Sequence, residues 1–188
     1  MNPSQNPSAI RSKKEITETL LQLMETYSYK DITVKQIILE SQVARKTFYR
    51  NFLSKDDVLD AHIDSIMQQY ICSLRQLPSC QLSNTLDVIF KFCIQNKDFL
   101  FQLRDNYLMH LLLNKWNIFI PMVHTQIASP EHPLFQTFSA DQIEYIIAFN
   151  VGAIWNVIMK WVEHDMKEPS EDIKATLLKY LADLSLFT

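Results

Sequence analysis

Glycine is almost absent. The 188-residue chain has one, Gly152, against seven prolines. Tight β-hairpins and glycine-rich phosphate loops need residues at positive φ, so both are disfavoured, whereas a helical chain does without them. Cysteine is scarce and odd in number: Cys72, Cys80 and Cys93 show no CxxC spacing. This pattern predicts reduced thiols in a cytoplasmic protein rather than a disulfide framework or a zinc site. The five histidines (62, 110, 124, 132 and 164) lack HExxH or any other ligand spacing, so no metal is expected. No Walker loop, nucleophile elbow or Ser-His-Asp arrangement is present. The chain therefore reads as a non-enzyme without a cofactor. No signal peptide is visible, and no uncharged apolar run reaches membrane-span length, so no membrane partner is expected.

What is present is helical periodicity and an uneven charge. The formal net charge is −3. Residues 1–60 hold nine Lys/Arg against eight Asp/Glu, and the remainder nine against thirteen. A locally basic head on an acidic body suits specific DNA binding. Residues 1–8 read as a disordered tail. A first helix over 9–28 carries the stripe Ile16, Leu20, Leu23, Met24 and Tyr27. Arg11, Lys13 and Lys14 stand at its start, either as a solvated end or against a phosphate.

Thr33-x-x-Gln36 is a capping box opening a second helix whose Val34, Ile37 and Ile38 face inward. Gln42-Val43 makes a corner with Val43 as its plug, and a third helix runs from Ala44 to Phe52. Phe48 and Phe52 lie four apart and pack inward. Arg45, Lys46, Tyr49 and Arg50 are left on the other sides, and residues 41–55 contain no acid. A short basic helix after a tight corner has the shape of a helix-turn-helix reader of DNA. Arg45 and Lys46 suit guanine O6 and N7, and the Thr47 methyl suits thymine; phosphate-only contact is the alternative for each. Arg50 reads as a phosphate contact or a surface charge.

Ser54 caps a fourth helix that runs to Pro78, long enough to join head and body. Lys55 begins that helix, where the macrodipole disfavours a cation unless an anion is near, so it is assigned to a DNA phosphate. Helices are expected at 83–95, 97–104, 106–127 (kinked at Pro121), 139–167 and 169–186, with a loop at 129–133. The 139–167 helix is apolar on two sides. Ile143, Ile147, Val151, Ile154, Ile158 and Trp161 form one face, and Ile146, Phe149, Ala153 and Val157 another. Burial on two faces calls for a partner, and a second copy is the simplest one. The expected dimer interface is Ile143, Ile147, Val151, Ile154 and Ile158 with Leu177, Leu181 and Leu184 from the last helix.

Residues 9–69 resemble the DNA-binding domain of the TetR family of bacterial regulators. The resemblance rests on Ile32-Thr33-Val34, on Thr47-Phe48-Tyr49-Arg50-Asn51-Phe52 and on Ser54-Lys55. Phe149-Asn150-Val151-Gly152 and Trp161 are similar to a TetR subgroup that includes DhaS-like regulators. Ser41, Lys46 and Asn51 depart from the family's common residues without disturbing the fold. The resemblance implies an all-α protein of about nine helices. A three-helix helix-turn-helix domain (9–69) would join through a long fourth helix to an all-helical ligand-binding and dimerisation domain (70–188). It implies phosphate contacts from Thr33, Tyr49 and Lys55, and a small-molecule effector held between the fourth helix and the body. His110, Trp116, Phe119, Asn150 and Trp155 are the expected pocket residues, with ordinary core as the competing reading. The expected function is a homodimeric repressor released from a palindromic operator by an effector. The alternative is a coactivator or interaction module whose body binds a protein.

Overall fold

The computed structural model describes residues 7–77, 81–127 and 136–184; the side chains of 122–127 and 184 also lie outside the described set. The described residues form nine α-helices, one 3-10 turn and no strand. In chain order they are α1 (Pro7–Thr26), the 3-10 turn (Tyr29–Asp31), α2 (Val34–Glu40), α3 (Arg45–Asn51), α4 (Lys55–Arg75), α5 (Leu82–Gln95), α6 (Lys97–Asp105), α7 (Met109–Ile127), α8 (Ala140–Glu163) and α9 (Ser170–Leu184).

Local chemistry sets most of these boundaries. Pro7 opens α1, where a missing N–H costs nothing, so the helix begins inside the stretch expected to be disordered. Thr33, Ser54 and Ser139 each close a capping box, with Gln36, Asp57 and Gln142 respectively. Gln42 takes φ 54° and makes the corner between α2 and α3. Asp165 and Met166 both have positive φ, and they stop α8 short of the expected Lys167. Pro121 lies inside α7, which continues through it. The expected loop at 129–133 and the end of the last helix beyond Leu184 lie outside the described residues.

The head is α1, α2 and α3 packed on the first half of α4. Ile16, Leu20, Ile37, Phe48, Val58 and Ile63 are fully buried there, and Val43 packs on them half-buried. Tyr27 departs from the expected stripe: it lies beyond the end of α1 and is 49% exposed. The core runs on without a break into the body, through Met67, Tyr70 and Leu74 of α4 to Leu86, Phe90, Leu100, Leu112 and Val162. One continuous apolar core joins reading head and body, so α4 packs along its length rather than bridging two separate cores.

Polar ties fasten the outer helices. Lys115 of α7 lies 2.9 Å from Asp60 and 2.8 Å from Asp64, both on α4. Lys174 of α9 pairs with Asp87 of α5. Cys72 is exposed and Cys93 buried, both as free thiols, and burial pushes the Cys93 thiol up to about 12. Only a thiolate attacks an alkylating agent. Iodoacetamide at pH 8 should therefore label Cys72 in the folded protein and leave Cys93 untouched until denaturant is added, as read by peptide mass mapping.

Candidate nucleic-acid interface

The third helix displays its charges as a small set of exposed groups. Phe48 faces wholly inward and Phe52 nearly so, their ring centroids 6.2 Å apart. That anchoring leaves Arg45, Lys46 and Arg50 exposed, Thr47 half-buried and Tyr49 44% exposed. The Arg45 guanidinium carbon lies 5.5 Å from the Tyr49 ring centroid, and Tyr49 meets Phe48 edge-on at 5.4 Å. This stacking orders Arg45 before any ligand arrives. Asn51 turns inward to donate to the Thr47 carbonyl (2.8 Å).

A cleft of about 450 Å³ opens beside this helix, lined by Lys13, Tyr49, Arg50, Asn51, Phe52, Leu53, Asp57 and Ala61. Lys13 of α1 thus faces the same space as Tyr49 and Arg50. The Asp57 carboxylate at its edge is already engaged, accepting from the Leu53 and Ser54 N–H groups (2.8 and 3.1 Å). Thr33 is exposed at the start of α2, and its hydroxyl both accepts from the Gln36 N–H (3.2 Å) and donates to the Gln36 side chain (2.9 Å).

Lys55 is placed differently from the expectation. Its ammonium turns back into the head and donates to the carbonyls of Tyr29 (2.6 Å), Lys30 (3.1 Å) and Ile32 (2.8 Å). It also lies 4.6 Å from the Tyr29 ring centroid. An ammonium has three protons, and three carbonyls take them all. Within the protomer, the cation at this helix start is compensated by three carbonyls of the 29–32 segment.

Tyr29 is the residue that sequence reasoning passed over as a connector. It is buried, and its hydroxyl donates to Asp56 (2.5 Å). Burial, followed by the bond to Asp56, holds its phenol well above the ordinary range. Its partners Lys55, Asp56 and Asn106 lie 26, 27 and 77 residues away in the chain, so no local spacing announces them.

The expected effector cluster is closed. Trp116 and Trp155 are buried with centroids 5.5 Å apart, Trp116 meets Tyr70 at 5.8 Å, and Tyr70 meets Phe92 at 5.1 Å. Edge-to-face and tilted rings fill this space as core. His110 and Asn150 are exposed, and Phe119 packs half-buried on the core. The five residues do not line one cavity. An open cleft of about 240 Å³ lies instead between α4 and α5, floored by Tyr70 and Phe92 and edged by Gln69, Ser73, Gln76, Lys91, Gln95 and Asn96.

Most of the expected dimer face packs inside the protomer, and Leu181 of that set stays exposed. Ile143, Ile147, Val151 and Ile158 of α8 are buried within the protomer, and Ile154 and Leu177 pack half-buried on its core. The side chain of Leu184 lies outside the described residues. Facing outward are Tyr145 (79% exposed) and Phe149 (75% exposed), with Tyr180 and Leu181 of α9 also exposed. By length and composition α8 is apolar enough to cross a membrane, with a mean hydropathy of 1.4 over its most apolar window. Its inward isoleucines belong to the core, and its outward aromatics supply the remaining apolar surface.

Among the described residues no group of three or more His, Cys, Asp or Glu side chains converges as a metal site. Comparison with known proteins agrees with the architecture. Residues 16–62 match the model of bacterial regulatory proteins of the tetR family. Residues 81–183 match a transcriptional regulator C-terminal region of tetR type. A search of curated proteins gives no match. Among solved structures, the dihydroxyacetone kinase operon activator DhaS is similar at 20% identity and a TM-score of 0.59, over 94% of this chain and 98% of that one. A TetR-family transcriptional regulator from Syntrophomonas wolfei is similar at 18% identity and a TM-score of 0.65, over 94% and 96%. The two structural neighbours share the all-helical fold, and the two family models together span both head and body: the chain belongs to the tetR family of bacterial transcriptional regulators.

Proposed function

We propose that the protein is a homodimeric regulator that binds a two-fold operator through paired α3 helices and is released by a small-molecule effector, acting as a repressor in the cytoplasm. The observation that carries the DNA-binding part is the exposed set Arg45, Lys46, Tyr49 and Arg50 on a helix anchored by Phe48. Arg45, Lys46 and Thr47 are assigned to base edges. Tyr49, Arg50 and Thr33 are assigned to phosphates.

The partner is a second copy, seated on the outward face of α8 and α9. Support comes from Tyr145, Phe149, Tyr180 and Leu181, which together leave large apolar side chains in solvent. Gly152 adds to this. A methyl group there would meet nothing within 4 Å in the protomer. Glycine inside a helix costs roughly 1 kcal/mol relative to alanine. Its smallness answers no need of this chain's own packing and suits close approach by another helix.

The cleft between α4 and α5 supports an effector site. Its rim of carboxamides, a hydroxyl and Lys91 without an acid suits a small hydroxylated or anionic molecule. A second reading concerns the sign of regulation: the structurally similar DhaS is an operon activator, and an activator would use the same head with its body engaging a protein.

The test is selection of bound duplexes from a random pool, followed by titration at several salt concentrations. Affinity should fall steeply as salt rises, because phosphate contacts release counterions. Arg45→Ala should cost about 1–3 kcal/mol and broaden the selected sequence at one position of each half-site. A wild-type protein that selects no sequence, or an Arg45→Ala variant with unchanged preference, overturns the assignment.

A further inference from the structure

The joint between head and body is held at one corner by two carboxamides at the end of α6, and one of them, Asn106, takes the segment that follows α1. Asn106 follows α6, and its Oδ1 accepts the Tyr29 backbone N–H at 2.6 Å, with the Ser28 hydroxyl at 3.5 Å. The Asn106 Nδ2 donates to the Gln102 carbonyl in the preceding turn (2.9 Å), which fixes the plane of the amide. Gln102 itself donates from Nε2 to the Leu21 carbonyl of α1 (3.2 Å). On the head side, Tyr29 is fastened to the start of α4 through Lys55 at its carbonyl and Asp56 at its hydroxyl. On the body side, Arg104 of the same last turn of α6 donates to the Val162 carbonyl at the end of α8 (2.6 Å) and to Asp165 (2.9 Å). The last turn of α6 therefore grips the end of the outward-facing helix with one side chain and the reading head with another.

We infer that Asn106 is a positioning residue that sets the angle of the reading head on the body, and so the spacing between half-sites that the dimer accepts. This rests on the dimeric DNA-binding reading above. The reason is geometric. Each head reads its half-site with α3 alone, while the distance between the two α3 helices is set by how each head leans on its body. Asn106 touches no group assigned to DNA. Its loss frees the 28–32 segment from α6 while leaving the contacts of α3 within the head in place.

The experiment uses the full-length wild-type protein and the sequence it selects. Its two half-sites are re-spaced in steps of one base pair, and affinity is measured at each spacing for wild type, Asn106→Leu and Asn106→Asp. Wild type should prefer one spacing by roughly tenfold, since each added base pair turns and shifts one half-site relative to the other. Asn106→Leu should flatten or move that preference while keeping the same half-site bases. Asn106→Asp retains an acceptor for the Tyr29 N–H but loses the donor to the Gln102 carbonyl, and should restore the preference in part. If Asn106→Leu does not fold, Asn106→Ser carries the same comparison. A variant that weakens binding equally at every spacing, or keeps the wild-type preference, overturns the inference. Failure of wild type to bind any paired half-sites overturns the dimeric reading instead.

Discussion

Lys55→Met should unfold the reading head at milder conditions, lowering stability by about 3 kcal/mol and weakening binding to every DNA sequence alike. Three carbonyls, at 2.6, 3.1 and 2.8 Å, lose their donor together. The Tyr29 carbonyl keeps the Ile32 N–H (3.2 Å) but loses its shorter bond, and Tyr29 itself is buried. A loss of that size is a large part of the roughly 5–15 kcal/mol that holds a domain of ordinary stability. A phosphate contact and an internal clamp predict the same loss of affinity at one salt concentration, so salt dependence separates them. Removing a phosphate contact lowers the slope of log affinity against log salt by about 1. Removing the clamp leaves the slope unchanged, because the fraction that is folded still makes every DNA contact. Lys55→Arg should not rescue, because a planar fork cannot direct its donors into one pocket of three carbonyls. Urea unfolding together with DNA titration at four salt concentrations decides the matter. A shallower slope with unchanged stability would return Lys55 to the DNA.

The double variant Tyr145→Asp, Phe149→Asp should separate the dimer and reduce affinity for a two-half-site operator by about 100-fold or more, the loss expected when two linked sites become independent. Both side chains stand at least three-quarters exposed on the protomer. Each protomer should therefore keep its fold and melting temperature at low concentration, while sedimentation falls to the mass of one chain. Ile147→Ala acts on the opposite side of the same helix. It removes a buried side chain from the small cluster of Ile143, Ile147 and Val151 beside Ile120, and should cost about 2–5 kcal/mol of protomer stability without addressing the partner directly. A double variant that still sediments as a dimer would place the interface elsewhere.

The head was legible in the sequence because its signals are local. Thr33 and Gln36 cap α2 within three residues, Ser54 and Asp57 cap α4 in the same way, and Phe48 and Phe52 share one side of α3. Each is a contact between neighbours in the chain, so spacing alone predicts it. The two faces of α8 were harder to assign. Periodicity showed that both were apolar but not which would meet α7 and which would stay outside. The branched aliphatics Ile143, Ile147 and Val151 packed inward, and the aromatics Tyr145 and Phe149 stayed exposed on the protomer. The aromatic residues of the body were equally visible, yet whether Trp116 and Trp155 line a space or fill it depends on ring orientation, which no sequence pattern records.

The sequence by itself determined an all-helical chain with a short basic reading helix, because helix periodicity and caps act over a few residues. Only the tertiary structure decided which groups Lys55 and Asn106 meet. Their partners lie 23–26 and 77–78 residues away, and a long-range hydrogen bond exists only where packing brings an orphaned carbonyl or N–H to its counterpart.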